Sequence, residues 1–139
     1  MDIRKLSAPC GLDCFNCEVY EDNITETTKK FLAEMTDKEV DTIPCKGCRV
    51  SGCSVNPSCA TLECVNEKNV DFCFECTEFP CEKLAPSKDG ADTYPHNMKV
   101  YNLCRMKKLG IEEWAKEAGR IRQSYYKGKF IIGRGPVLD

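Results

Sequence analysis

The sequence predicts a small, metal-stabilised fold that is mostly α, with irregular Cys-rich knuckles in its first half, a helical C-terminal half and little β structure. Three observations carry that expectation. Twelve of the 139 residues are cysteine, so the 42% hydrophobic content overstates the apolar core, which rests on roughly a third of the chain. Helical periodicity is confined to segments between and after the cysteines. A chain of this length makes one domain, and one that buries little apolar surface needs cross-links of another kind. Residues 1–139 are therefore read as a single domain, with an acidic Cys-rich lobe over 1–85 and a basic helical lobe over 95–139.

Charge supports that division. Residues 1–98 carry ten Lys or Arg against eighteen Asp or Glu, whereas residues 99–138 carry ten against three. Eleven of the cysteines lie in the acidic part, and an ion bound by four thiolates adds further negative charge there. A basic helical segment beside such an anionic lobe argues against nucleic acid, and no arginine-rich run or aromatic ladder is present.

Taken in order, Ile24, Thr28, Phe31, Leu32 and Met35 predict a helix near 24–35, with Asn23 and Glu26 as a capping box. Thr36 and Glu39 repeat the cap pattern before a shorter helical stretch that ends ahead of Pro44. Cysteine, glycine and proline punctuate residues 44–81, which predicts knuckles and turns, with one helical turn around Cys59–Val65. Residues 86–94 read as a surface linker. Met98, Tyr101, Cys104 or Arg105, and Leu109 then define a helical face closed by Gly110. A second helix presents Ile111, Trp114, Ala115, Ala118 and Ile121 on one face, with Trp114 its largest apolar contribution. Residues 129–133 predict a short tail strand that Arg-Gly-Pro ends. Gly110 and the Gly-Arg-Gly-Pro tail are turns, since neither joins a strand to a helix as a phosphate loop does.

The N-terminal ten residues contain no apolar signal segment, and no run approaches the roughly 18 apolar residues of a membrane span. The chain is expected in the cytoplasm with its thiols reduced, which favours metal over disulfides. Three Cys-x-x-Cys knuckles supply the ligands: Cys14 with Cys17, Cys45 with Cys48, and Cys73 with Cys76. A two-residue spacer turns both sulfurs toward one ion, and two such pairs close a tetrahedron.

The near-identity of Cys14-Phe-Asn-Cys17 and Cys73-Phe-Glu-Cys76 predicts that these two knuckles share one zinc ion, with Cys10 and Cys81 as substitutes. The second of two expected zinc sites falls to Cys45, Cys48, Cys59 and Cys64, with Cys53 able to replace either of the last two. Cys104 is expected as a buried free thiol acting as a small hydrophobe. His96, the single histidine, is read as structural, with metal ligation or a functional role as alternatives.

These motifs resemble a family of small cysteine-rich bacterial and archaeal proteins known as a domain of unknown function. The likeness rests on Cys10-Gly-Leu-Asp-Cys14-Phe-Asn-Cys17 with Tyr20, Cys45-Lys-Gly-Cys48-Arg49, the Cys59 and Cys64 spacing, and Phe72 through Leu84. It extends to Asn102-Leu103 and Leu109 through Trp114, covering most of residues 8–115. The resemblance implies a metal-binding protein with a helical C-terminal half and brings no established activity.

Two functional classes follow. The first is a zinc-stabilised binding or adaptor module for a protein or small-molecule partner. The alternative is an iron–sulfur protein in electron transfer or redox chemistry. Cys10-x-x-x-Cys14-x-x-Cys17 has the spacing of the radical S-adenosylmethionine enzymes, but Asn16 stands where those motifs carry an aromatic, and their barrel is longer than this chain. A tetrathiolate ion is a poor Lewis acid, so no catalytic residues are assigned.

Overall fold

The computed structural model describes residues 1–52, 58–84, 98–131 and 134–138, so Cys53, the 86–94 linker and His96 lie outside the described residues. Helix α1 spans Glu26–Thr36. Thr25 caps it, its hydroxyl accepting from the Thr28 amide at 3.1 Å. Asn23, expected in that role, instead donates to the carbonyls of Phe15 (2.8 Å) and Cys17 (3.0 Å), bracing the first knuckle. Asp37 ends the helix at a left-handed φ of 52°. Apolar spacing identified this helix but not its buried side, for Phe31 and Met35 are 58% and 68% exposed while Ala33 is buried.

The shorter stretch before Pro44 is a 3-10 turn at Val40–Thr42, with Glu39 preceding it. Thr36 does not cap it, since its hydroxyl donates back to the Leu32 carbonyl at 2.7 Å. Helix α2 is one turn, Cys48–Ser51, and α3 runs Ala60–Glu67, longer than the single turn expected there. Residues Cys14–Asn16, Cys73–Glu75 and Glu82–Leu84 form further 3-10 turns.

The C-terminal part is a helical hairpin of α4, Met98–Leu109, and α5, Ile111–Lys127. Gly110, at φ +88°, donates its amide to Met106 and accepts from Trp114, so it ends one helix and starts the next. The buried face of α4 is Met98, Asn102, Leu103 and Met106, rotated from the one expected. Arg105 turns toward α5, where Glu117 accepts two of its hydrogen bonds at 2.6 and 3.0 Å. Cys104 is exposed, which overturns its expected burial. The face of α5 is as expected, with Trp114, Ala118 and Ile121 buried.

Residues Phe130–Ile131 form strand β1, antiparallel to β2 at Gly135–Pro136. The Gly-Pro dipeptide expected to end regular structure therefore supplies the second strand. One hydrophobic cluster joins the two lobes, taking Leu6, Phe15, Val65, Phe72 and Leu84 from the first and Met98, Leu103, Met106, Trp114 and Ile121 from the second. Phe15, from inside the first knuckle, meets the Trp114 ring edge-on at 5.8 Å.

Candidate metal centre

The two Cys-Phe-x-Cys segments fold alike. In each, a 3-10 turn starts at the first cysteine, and the amide of the second donates to the carbonyl of the first, at 3.0 Å for Cys17 and 3.1 Å for Cys76. Side chains brace both turns. Asp13 accepts from Asn16 at 2.9 Å, and Glu75 accepts from the amides of Asp71 (2.8 Å) and Phe72 (3.0 Å).

Amides also point at sulfur. Gly47 donates to Cys45 Sγ and Glu78 to Cys76 Sγ, each at 3.4 Å, and the amides of Leu12 and Val19 do the same for Cys10 and Cys17. In all four cases the donor lies two residues after the cysteine. The loop geometry thus supplies each of these four sulfurs with a backbone donor, although burial pushes the Cys10 and Cys17 thiols up.

The first motif touches both other knuckles. The Cys73 amide donates to the Pro9 carbonyl at 3.0 Å and Cys10, the expected substitute in a union of the look-alike knuckles, neighbours Cys73, while Cys14 Sγ stands 3.9 Å from Cys48 Sγ, in the second knuckle. A backbone bridge makes this juxtaposition: Cys45 donates to the Val19 carbonyl at 2.8 Å, and Glu21 donates to the Cys45 carbonyl at 2.9 Å. Residues 17–21, directly after the first knuckle, are thereby laid along the start of the second.

The third knuckle gathers a different set. Cys64, Cys73, Cys76 and Cys81 line one cavity of about 50 Å³, walled also by Val65, Phe79 and Leu84. Burial pushes the Cys73 thiol up to about 12, and the neighbouring sulfurs of Cys10, Cys81, Cys64 and Cys76 push the same way. Lys68 donates to Cys76 Sγ at 3.5 Å and pairs with Glu78.

The expected grouping of Cys45, Cys48, Cys59 and Cys64 is likewise divided, with Cys45 and Cys48 beside the first knuckle and Cys64 at the cavity. Cys59 stands at the N-cap position of α3 without a side-chain capping bond and neighbours Cys10, whose thiol burial also pushes up. Eleven cysteines among the described residues are unbridged thiols, and no three His, Cys, Asp or Glu side chains there converge on one point at ion-binding distance.

Of the residues that hold this arrangement, Arg122 carried no signal in the sequence, whereas Asp13 and Arg49 stand within the quoted motifs but without an assigned role. Arg122, on α5, donates to the fully buried Asp13 at 2.9 Å and to Glu18 at 2.7 Å, so both flanks of the first knuckle are gripped from the other lobe. Burial pushes the Asp13 carboxyl up, against the pull of Arg122 and Asn16. Arg49 donates to the carbonyls of Ser7 (2.8 Å) and Asp71 (2.5 Å) and lies 4.6 Å over the Phe72 ring, tying the second knuckle to the third.

Gly11, inside the first cysteine motif, has φ +92°, and a Cβ there would lie 2.6 Å from the Lys99 carbonyl. Its own carbonyl accepts from Asn102 at 2.7 Å, and Asn102 accepts from the Trp114 indole at 3.1 Å. The motif residues Gly11, Asn102 and Trp114, far apart in sequence, therefore meet as one hydrogen-bonded chain.

The model of the family described as a protein of unknown function (DUF3795) matches residues 6–86, more than half of the chain. The chain belongs to this family. Every cysteine except Cys104 falls within the DUF3795 match, whereas α4 and α5, with Asn102, Trp114 and Arg122, lie beyond it. No curated protein and no solved structure matches the chain. Among the described residues no helix is long and apolar enough to cross a membrane.

Proposed function

We propose that this DUF3795 protein is a thiolate metal-binding module in which a structural zinc ion ties the first knuckle to the second through Cys14, Cys17, Cys45 and Cys48. The observation that carries this reading is the 3.9 Å separation of Cys14 Sγ and Cys48 Sγ. With metal–sulfur bonds of about 2.3 Å, two corners of a tetrahedral site stand about 3.8 Å apart. A disulfide would need about 2.05 Å.

The donor set fits a closed structural site. All four ligands are thiols, with backbone donors at Cys17 and Cys45. The ion's work is then to hold the N-terminal lobe in shape, and recognition of a partner falls to the exposed surface.

The test is anaerobic purification followed by metal analysis and cobalt substitution. Zinc or a cobalt–thiolate absorption band is expected, and Cys14→Ser, Cys48→Ser and the double variant should each lose the same single equivalent. Additive losses would show that the two cysteines serve different ions. A brown protein with iron and sulfide would replace this reading with an iron–sulfur one.

A further inference from the structure

We infer that the cavity walled by Cys64, Cys73, Cys76 and Cys81 is a second thiolate site for a divalent ion of the zinc and cadmium class, built locally and more exchangeable than the first. The inference rests on the metal-binding reading above, and it concerns a different set of residues.

Four cysteines on three short segments line one space. Cys64 comes from α3, Cys73 and Cys76 from the 3-10 turn at 73–75 and its end, and Cys81 from the residue before the Glu82–Leu84 turn. The volume of about 50 Å³ exceeds the roughly 10–15 Å³ that a single water requires. No three of these side chains converge as they stand, so binding an ion requires their sulfurs to rotate about the Cα–Cβ bonds into the space they line.

The wall is also chemically matched to a tetrathiolate ion. Four thiolates around a divalent cation leave a net charge of about −2, which costs free energy in an apolar wall unless cations stand near. Lys68 and Lys83 line this cavity, and Lys68 donates to Cys76 Sγ at 3.5 Å while the Glu78 amide reaches the same sulfur at 3.4 Å. These two donors stand where they would balance the charge that Cys76 carries as a metal ligand. Soft thiolate donors select zinc or cadmium over magnesium or calcium.

Exchangeability follows from position. Cys14 and Cys48 are half-buried, in a region braced by Asn23, Arg49 and Arg122. Cys81 is exposed and gives the second site a ligand that water and a competing chelator can reach. All four of its cysteines fall within residues 64–81, so the loops it closes are short and their closure entropy is small.

The experiment titrates the reduced full chain with cadmium, counting bound ions by metal analysis and four-sulfur sites by ¹¹³Cd NMR. Wild type is expected to hold two ions with two such resonances, one of which a competing chelator removes first. Cys14→Ser/Cys48→Ser should keep the easily removed ion, and Cys64→Ser/Cys76→Ser should keep the other. Lys68→Met, which leaves every ligand in place, should weaken the second ion about tenfold and leave the first unchanged. One ion in wild type, untouched by Cys64→Ser/Cys76→Ser, overturns the second site and leaves the first standing. Two ions, both retained in Cys14→Ser/Cys48→Ser, overturn the first site instead. A Lys68→Met protein that binds both ions as wild type does would refute the role given to the cavity wall.

Discussion

Trp114, Ala118 and Ile121 recur along one face of α5 and are withdrawn completely or almost completely from solvent. Helix α1, with an equally regular apolar spacing, leaves Phe31 and Met35 in water and buries only Ala33. The two helices show how differently the lobes are held. In the C-terminal hairpin, buried apolar faces and the Arg105–Glu117 pair hold α4 against α5. In the N-terminal lobe, the ordered segments are one- to three-turn pieces whose positions are set by knuckles, backbone bridges and buried side-chain hydrogen bonds. Regular periodicity is decisive only where an apolar face has a partner to cover it.

Removing metal should break the comparison most widely. Structural zinc sites contribute apparent binding free energies of about 10–16 kcal/mol, so a chelator at neutral pH should unfold the Cys-rich lobe. Limited proteolysis would read this as new cleavage within residues 8–84 while 98–127 stays protected longer. Unchanged circular dichroism and protease resistance after verified metal loss would remove the metal from the account of stability.

Trp114→Ala should cost about 3–5 kcal/mol, because it empties the junction between the lobes and takes the donor from Asn102. Urea denaturation followed by circular dichroism measures it. A loss below 1 kcal/mol would show that the lobes do not depend on this contact.

Arg122→Gln sharpens the same point from the polar side. It leaves the buried Asp13 without its cation, and breaking such a pair costs about 3 kcal/mol. A zinc ion held by the first knuckle as proposed should also exchange faster, read by the rate of chelator capture. An unchanged capture rate would confine Arg122 to a role in stability.

Asn102→Ala, which strands the Gly11 carbonyl and the Trp114 indole, is expected to cost about 2 kcal/mol with metal content unchanged. Cys104→Ala marks the low end, within about 0.5 kcal/mol and with full metal content, since this thiol is exposed on α4. Loss of a metal equivalent in that variant would make Cys104 a ligand.

Much was legible in the sequence by itself. The two C-terminal helices, the Gly110 junction between them and the buried face of α5 follow from 3.6-residue periodicity and glycine chemistry, both local properties. So does the knuckle as a unit, since Cys-Phe-Asn-Cys and Cys-Phe-Glu-Cys fold into the same 3-10 turn. Which knuckle meets which was not legible. The likeness of the first and third predicted that they share an ion, but likeness of local turns reports only local geometry, and long-range backbone hydrogen bonds set Cys14 beside Cys48. Only the tertiary structure placed Cys45 along residues 17–21, Arg122 on an aspartate 109 positions earlier, and Asn102 between Gly11 and Trp114. Short-range patterns encode turns and helices because their hydrogen bonds close within a few residues. The assembly of thiols depends on contacts that close only when distant segments share one core, and no spacing in the sequence records them.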